Sequence, residues 1–197
     1  MSHFNIGANK WDSEDKVARA QLMANKIKEE IDLNKKFDIL DFGCGTGLLG
    51  LEFLEHAKSL VGIDNSSGML AVFDEKVETL PHVSSLNINL ENESLDKEFD
   101  LIVSSMTFHH LDRPSEVIQT FSKMLNKGGK IFIIDLESED GSFHPDNRGM
   151  GVKHFGFSRE DLSMWSAEAN LEVDIKTISS IDKNQRTYSL FMASFSK

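Results

Sequence analysis

A run of alternating glycines is the feature that most constrains the fold of this chain. The run reads Asp41-Phe42-Gly43-Cys44-Gly45-Thr46-Gly47, and it lies between an apolar stretch typical of a buried strand and a leucine-rich stretch typical of a helix. Glycines permit positive φ and let a ligand approach the backbone. The first turn of a following helix offers free N–H groups that suit a carboxylate or a phosphate. The pattern therefore indicates a ligand site at the carboxyl end of a strand in an α/β sheet.

Strand-like and helix-like segments alternate along the rest of the chain. The periodicity predicts strands at 37–42, 60–64, 83–89, 99–103, 131–134, 173–178 and 188–195. It predicts helices at 13–31, at 48–54, at 66–77, from Asp112 or Pro114 to a stop at Lys127-Gly128-Gly129, and after a capping box of Ser158 and Asp161. Two strands follow each other at the end. We therefore expect a doubly wound α/β fold with a mostly parallel seven-stranded sheet and a late antiparallel strand.

We find no linker, repeat or low-complexity segment in the 197 residues, so we expect a single domain over residues 1–197. Residues 137–157 are long for a connection, and long ordered loops are often functional. With the N-terminal helix they form a candidate lid, although a surface loop without function is an equal alternative for 137–157.

Charge and cysteine content restrict the chemistry. Lys and Arg number 21 against 32 Asp and Glu, a formal net charge of −11 that opposes binding to nucleic acids and anionic membranes. A lone cysteine, Cys44, excludes an internal disulfide, a multi-thiolate zinc site and an iron–sulfur cluster. Without an apolar run of ~18 residues or a basic-then-apolar start, we expect a cytoplasmic protein with no membrane insertion. The oligomeric state stays open.

An acidic residue, Asp64, ends the second predicted strand, 21 positions after Gly43. A carboxylate there can accept both hydroxyls of a ribose, so turn and carboxylate together indicate a nucleoside-type pocket. Gly45-Thr46-Gly47-Leu48-Leu49-Gly50 satisfies the G-x-G-x-x-G pattern of NAD-binding proteins. The same glycines can also be aligned with a second pattern, D-x-G-x-G-x-G, which starts at Asp41; we call these two alignments the two registers of the glycine run. With the remaining motifs, this register resembles the class I S-adenosylmethionine-dependent methyltransferases over roughly residues 10–195, and among them the small-molecule type similar to the ubiquinone/menaquinone-biosynthesis group.

The resemblance implies a Rossmann-like methyltransferase fold, with S-adenosyl-L-methionine as cofactor and S-adenosyl-L-homocysteine as product. In the family the turn holds the methionine part, the acid at the end of strand two binds the ribose, and an apolar residue five positions later packs on the adenine. The sequence departs from the family after strand three, where Asn89 and Leu90, or in another alignment Asn87, replace the frequent acid. The implied cofactor-binding residues are Asp41, Gly43, Cys44, Gly45, Gly47, Asp64, Asn65, Met69, Asn89, Leu90 and Ser104.

Methyl transfer by in-line displacement needs positioning and exclusion of water, and a base only where the acceptor must lose a proton. His109 and His110 follow strand four and are the candidate bases; the alternative is that one packs against the next turn and the other is on the surface. The candidate residues of the acceptor pocket are Trp11, His144, Arg148 and His154. We expect no metal site, because an adjacent histidine pair does not have a helical metal-ligand spacing.

The acceptor is expected to be a small molecule. The chain lacks a second cysteine for cytosine C5 methylation, the cysteines for a radical cluster, and a Pro-Pro motif after strand four that nucleobase amino-methyltransferases carry. The alternative functions compatible with the sequence are methylation of RNA or protein, non-catalytic binding of S-adenosylmethionine, and NAD-dependent oxidation. The sequence does not identify the methylated atom.

Overall fold

The computed structural model describes residues 3–197, so Met1 and Ser2 of the expected domain lie outside the described residues. The strands are β1 (Phe37–Phe42), β2 (Ala57–Asp64), β3 (Val83–Asn87), β4 (Phe99–Ser105), β5 (Leu125–Leu136), β6 (Glu172–Lys183) and β7 (Arg186–Ser196). The α-helices are α1 (His3–Gly7), α2 (Glu14–Lys28), α3 (Ser67–Val77), α4 (Pro114–Met124) and α5 (Arg159–Glu168). Three 3₁₀ helices span Ala8–Lys10, Gly50–His56 and Phe108–His110.

The strands form one seven-stranded sheet in the order β3-β2-β1-β4-β5-β7-β6. β7 pairs antiparallel with both β5 and β6, and the other pairings are parallel. The expected fold class is confirmed. The strand order reverses between β1 and β4, and in such sheets ligands bind beyond the carboxyl ends of the strands at this point.

Apolar side chains cover both faces of the sheet. One buried cluster joins Ile27 of α2 and Phe73 of α3 to the first face. The other cluster joins Phe121 of α4 and Leu162 of α5 to the opposite face. Helices on both faces explain why the central strands carry buried apolar side chains toward both sides of the sheet. Within residues 3–197, no helix combines the length and apolar content needed to cross a bilayer.

The segment after the glycine turn differs from the prediction. We expected a helix from Leu48, but the ordered turn is a 3₁₀ helix that begins at Gly50. The Gly50 N–H donates to a carboxylate oxygen of Asp41 at 3.0 Å. The Gly50 N–H is thus bonded to a side chain and not to a helical carbonyl. Since Gly47 also has a φ of +89°, the backbone around the turn does not follow α-helical geometry.

The end of α4 also differs. The helix stops at Met124, before the Lys127-Gly128-Gly129 sequence that we expected to end it. β5 begins already at Leu125, which pairs with Phe99 of β4, and the pairing shifts register before Lys130. The glycines therefore lie within the irregular start of β5, where Gly128 has a φ of +78°.

Candidate active site

The glycine turn is held against the end of β2. The N–H groups of Gly43 and Cys44 both donate to the Ile63 carbonyl, at 2.8 and 3.0 Å. Gly43 has a φ of +66° and Gly45 a φ of +53°, which favour glycine. A Cβ on Gly43 would overlap the Thr107 side chain, whereas a Cβ on Gly45 would meet nothing within 4 Å. The turn therefore packs on one side and presents bare backbone to open space on the other.

Asp64 ends β2 beside this turn. Its Oδ2 accepts the Gly45 N–H at 2.9 Å and its Oδ1 accepts the Ser66 N–H at 2.8 Å. Burial raises the pKa of Asp64, and the amides of Ser66, Gly45 and Asn65 oppose the increase. Each carboxylate oxygen keeps a lone pair. The side chain is thus fixed in place and can still accept hydrogen bonds from a ligand.

Asp41 lies beneath the turn and is 1% exposed. Burial raises its pKa to about 7; the Gly50 amide lowers the value and the nearby Asp64 raises it further. Burial likewise raises the pKa of the Cys44 thiol, which is therefore a poor nucleophile near neutral pH. We therefore interpret the buried side chains of Asp41 and Cys44 as supports for the conformation of the turn.

A cavity of about 400 Å³ opens above the carboxyl ends of β1, β2 and β4. This volume falls in the range of small-molecule sites. The cavity brings together most of the site residues that the sequence predicts: Trp11, Asp41, Gly43, Cys44, Gly45, Asp64, Asn65, Met69, Asn89, Leu90, His109, His110 and His144. Gly47, Ser104, Arg148 and His154 lie outside the lining.

These four residues have other surroundings. The Ser104 hydroxyl donates to the Phe42 carbonyl at 2.9 Å and ties β4 to β1. A Cβ on Gly47 would meet Leu51 and Phe73 in the core. Arg148 is exposed. The His154 ring lies 5.3 Å from the Phe157 ring.

The N-terminal segment is fastened over the turn. The Thr46 hydroxyl donates to Asp12 at 2.5 Å, and the Lys76 ammonium donates to the other oxygen of Asp12 at 2.6 Å. Farther toward the N-terminus, Asn5 accepts the Gly68 N–H at 2.8 Å. These bonds place Phe4 and Trp11 at the cavity wall, where their ring centres lie 5.7 Å apart.

A histidine wall, defined as His109, His110 and His144, lies on the same cavity. The His109 ring is 1% exposed, and its Nδ1 lies 2.7 Å from a carboxylate oxygen of Asp135 in β5. Burial alone would raise the pKa of Asp135, but His109 and the amides of Leu136 and His109 together hold it below its usual value. An ionised Asp135 accepts the Nδ1 proton, so the Nε2 of His109 carries the lone pair.

The other two imidazoles of the histidine wall lie beside the His109 ring. The ring centre of His109 lies 4.1 Å from that of His110 and 5.0 Å from that of His144. The His110 Nδ1 lies 3.2 Å from the Gly151 carbonyl. Burial, His109 and His110 lower the pKa of His144 to about 4, so this ring is neutral near pH 7.

Three cations also line the cavity: Lys16 and Arg19 from α2, and Lys183 from the end of β6. Burial lowers the pKa of each, and Arg19 lowers the pKa of both lysines further. The Lys16 ammonium lies 3.2 Å from the Trp11 ring centre, and Lys183 lies 4.4 Å from that of Phe143. In the part of the chain that the structure describes, none of the three forms a salt bridge. We call Lys16, Arg19 and Lys183 the cation cluster.

Sequence reasoning missed the cation cluster, Asp135 and Phe4. Lys16 and Arg19 are three residues apart, a spacing that places both on one face of a helix, but nothing local shows that this face meets a cavity. Asp135 carries a readable signal, because it is an acid inside the apolar run 131–136. A charged residue in a buried strand needs a partner.

Comparison with known proteins agrees with this geometry. A family model described as a methyltransferase domain matches residues 40–131. An uncharacterized methyltransferase of Schizosaccharomyces pombe is 30% identical, over 88% of this chain and 84% of that protein.

Solved structures share the fold. A chain in the complex between the Haloferax volcanii Trm112 methyltransferase activator and a methyltransferase gives a TM-score of 0.82 at 15% identity, covering 99% of this chain and 97% of that one. A SAM-dependent methyltransferase from Aquifex aeolicus gives 0.70 at 18% identity, covering 97% of each chain.

The two registers of the glycine run are now distinguishable. In the dinucleotide pattern the second glycine leaves its backbone open to the ligand. Gly47 holds that position here, but it lies outside the lining and faces Leu51 and Phe73, whereas Gly43 and Gly45 line the cavity. The correct register is therefore the one that starts at Asp41. With the extent of the sequence match, this shows that the chain belongs to the class I S-adenosylmethionine-dependent methyltransferases.

Proposed function

We propose that this methyltransferase acts on a small, negatively charged acceptor that loses a proton at the histidine wall. The observation that carries the proposal is that one cavity of about 400 Å³ joins the glycine turn, the histidine wall and the cation cluster. A ligand in this space reaches all three at once. A small molecule fits such a cavity, whereas a folded macromolecule meets only its rim.

The described residues fit S-adenosylmethionine. The open side of Gly45, the fixed carboxylate of Asp64 and the buried Met69 lie around one end of the cavity. We assign the methionine part to the turn, the ribose to Asp64 and the adenine to Met69, with Asn89 and Leu90 beside it. The cofactor supplies a methyl group that its sulfonium already activates.

The acceptor proton goes to the histidine wall in this proposal. In a neutral His109 ring Asp135 accepts the Nδ1 proton, so the lone pair of that imidazole is at Nε2. His110 lies beside it with its own Nδ1 toward the Gly151 carbonyl. The His109 ring is thereby oriented to take a proton at Nε2, and His110 is the second candidate base.

The cation cluster indicates the charge of the acceptor. A chain with a net charge of −11 holds three half-buried cations on one cavity wall, without salt bridges among its described residues. Asp12 and Asp15 raise the pKa of Lys16 and Arg19 in part, but neither carboxylate outweighs burial. Burying a cation that has no contacting counter-charge is unfavourable unless a ligand supplies the opposite charge. A carboxylate or a phosphate on the acceptor supplies it.

Two segments close the cavity in this proposal, and we treat residues 1–197 as one domain that includes both. Phe4 and Trp11 of the N-terminal segment lie on one wall, and Phe143 and Met150 of residues 137–157 lie on another. Their apolar side chains exclude water, which favours attack on the methyl group over hydrolysis.

The test is a methyl-transfer assay with isotopically labelled S-adenosylmethionine and a metabolite extract as the acceptor mixture. We expect a labelled small product that anion exchange retains. Label in RNA or protein with none in the small-molecule fraction would contradict the proposal.

Variants test the histidine wall. In His109→Ala and His110→Ala, turnover should fall more than S-adenosylhomocysteine affinity, and the exposed His82→Ala is the matched control. Unchanged turnover in both wall variants would remove them from the mechanism.

A further inference from the structure

The three imidazoles of the histidine wall have the composition of a metal site. One ring nitrogen from each of His109, His110 and His144 lies within 4.8 Å of the others. Three histidine ligands with one open position are a ligand set of catalytic zinc sites. The sequence did not predict a metal site here, because the third imidazole, that of His144, comes from the separate segment 137–157.

Two features of His109 suit it to bind a metal ion. The bond from its Nδ1 to Asp135 is the carboxylate–histidine arrangement that orients metal-ligating imidazoles. Its Nε2 is fully buried and has no hydrogen-bond partner within residues 3–197. A buried polar atom left without a partner in a native fold requires an explanation, and a bound ion supplies one.

The other two ligands complete the set with modest movement. His110 contributes one ring nitrogen to this group, and its Nδ1 lies 3.2 Å from the Gly151 carbonyl. Tetrahedral zinc with Zn–N bonds of about 2.1 Å needs its nitrogens about 3.4 Å apart, so nitrogens spread over up to 4.8 Å must move closer together. His144 is half-buried on irregular backbone and is the ligand best able to move.

We propose that His109, His110 and His144 bind one divalent transition-metal ion, with Zn²⁺ as the best match, and that Asp135 is the positioning residue. Imidazole nitrogens suit zinc and its neighbours better than magnesium or calcium, which prefer oxygen ligands. The ion's use in catalysis rests on the proposed function: its open position faces the acceptor cavity and takes an acceptor oxygen. A hydroxyl bound there ionises more readily. With the ion bound, the ring nitrogens are ligands, so the proton of that hydroxyl passes to water. Proton transfer to the histidine wall, as proposed above, describes the metal-free protein.

The test uses the full chain, freed of metal with a chelator and titrated with Zn²⁺ by calorimetry. We expect one ion per chain, and Co²⁺ should give the visible absorption of a four-coordinate site. Replacement of a ligand in His144→Ala or His110→Ala should weaken Zn²⁺ binding at least about tenfold, and Asp135→Asn should weaken it about 10- to 100-fold. The surface variant His82→Ala should bind as the unchanged protein does.

Two outcomes would overturn the proposal: no saturable binding of either ion, or equal Zn²⁺ affinity in His144→Ala and the unchanged protein. The half-buried His144 makes this variant decisive even if Asp135→Asn does not fold. S-adenosylhomocysteine titrated into the metal-free protein tests the proposed cofactor site separately. Failure of that binding would count against the proposed function and not against the metal site.

Discussion

Replacement of Asp41 by asparagine should change how the stability of this protein depends on pH. Burial raises the pKa of Asp41 to about 7 from an ordinary value of 3.8, a shift of about 3 units. Each unit corresponds to about 1.36 kcal/mol of preference for the protonated form. The ionised side chain therefore disfavours the folded state by on the order of 4 kcal/mol above pH 7.

The sign follows from proton binding. Below pH ~3.8 the carboxyl is protonated in both states, and Asp41 contributes nothing to the pH dependence. Between pH ~3.8 and 7 the unfolded chain releases this proton while the folded chain retains it, so stability falls as pH rises. Above pH 7 the loss is constant.

Asparagine keeps an oxygen for the Gly50 N–H and does not titrate. The difference in unfolding free energy, Asp41→Asn minus the unchanged protein, should grow by about 2.5 kcal/mol from pH 5 to pH 8. Urea unfolding of both proteins at each unit of pH measures it. A difference that stays constant over this range would refute the assignment of a raised pKa to Asp41.

Three further changes test the glycine turn, the proposed role of Asp64 and a helix cap. Asp64→Ala should weaken S-adenosylhomocysteine binding by about 5- to 150-fold, or ~1–3 kcal/mol, in calorimetry; equal affinity would place the ribose elsewhere. Gly43→Ala should lower the thermal midpoint more than Gly128→Ala, because both positions have positive φ but only the first directs a Cβ into Thr107; equal losses would mean that Thr107 yields freely. Ser158→Ala should cost about 1 kcal/mol in urea unfolding, since Ser158 and Asp161 form the capping box of α5; no loss would mean that the first turn of α5 stands without its cap.

The elements that the sequence predicted well are those set by local physics. Each of the seven strands was predicted, because a buried strand appears in the sequence as a short apolar run and the helix that covers it as apolar residues at helical spacing. The Ser158–Asp161 capping box was readable because both partners lie within one helical turn. The 3₁₀ conformation after Gly47 could not be predicted in this way. It depends on a hydrogen bond from the Gly50 N–H to Asp41, which the spacing of apolar residues does not reveal.

The part of the cavity formed by the glycine turn and Asp64 could be predicted from the sequence, and the part formed by the histidine wall and the cation cluster could not. A glycine turn and an acid at the next strand end are close in sequence and occupy a fixed place in this fold, so the chain alone predicts that Gly43, Gly45 and Asp64 lie together on the cavity. His109 meets Asp135 because β4 and β5 are neighbours, and Lys183 meets α2 because β6 ends near the cavity. His144 joins them from a segment with no regular structure. These contacts join residues far apart in sequence, and only the packing of the whole sheet and its connections decides them.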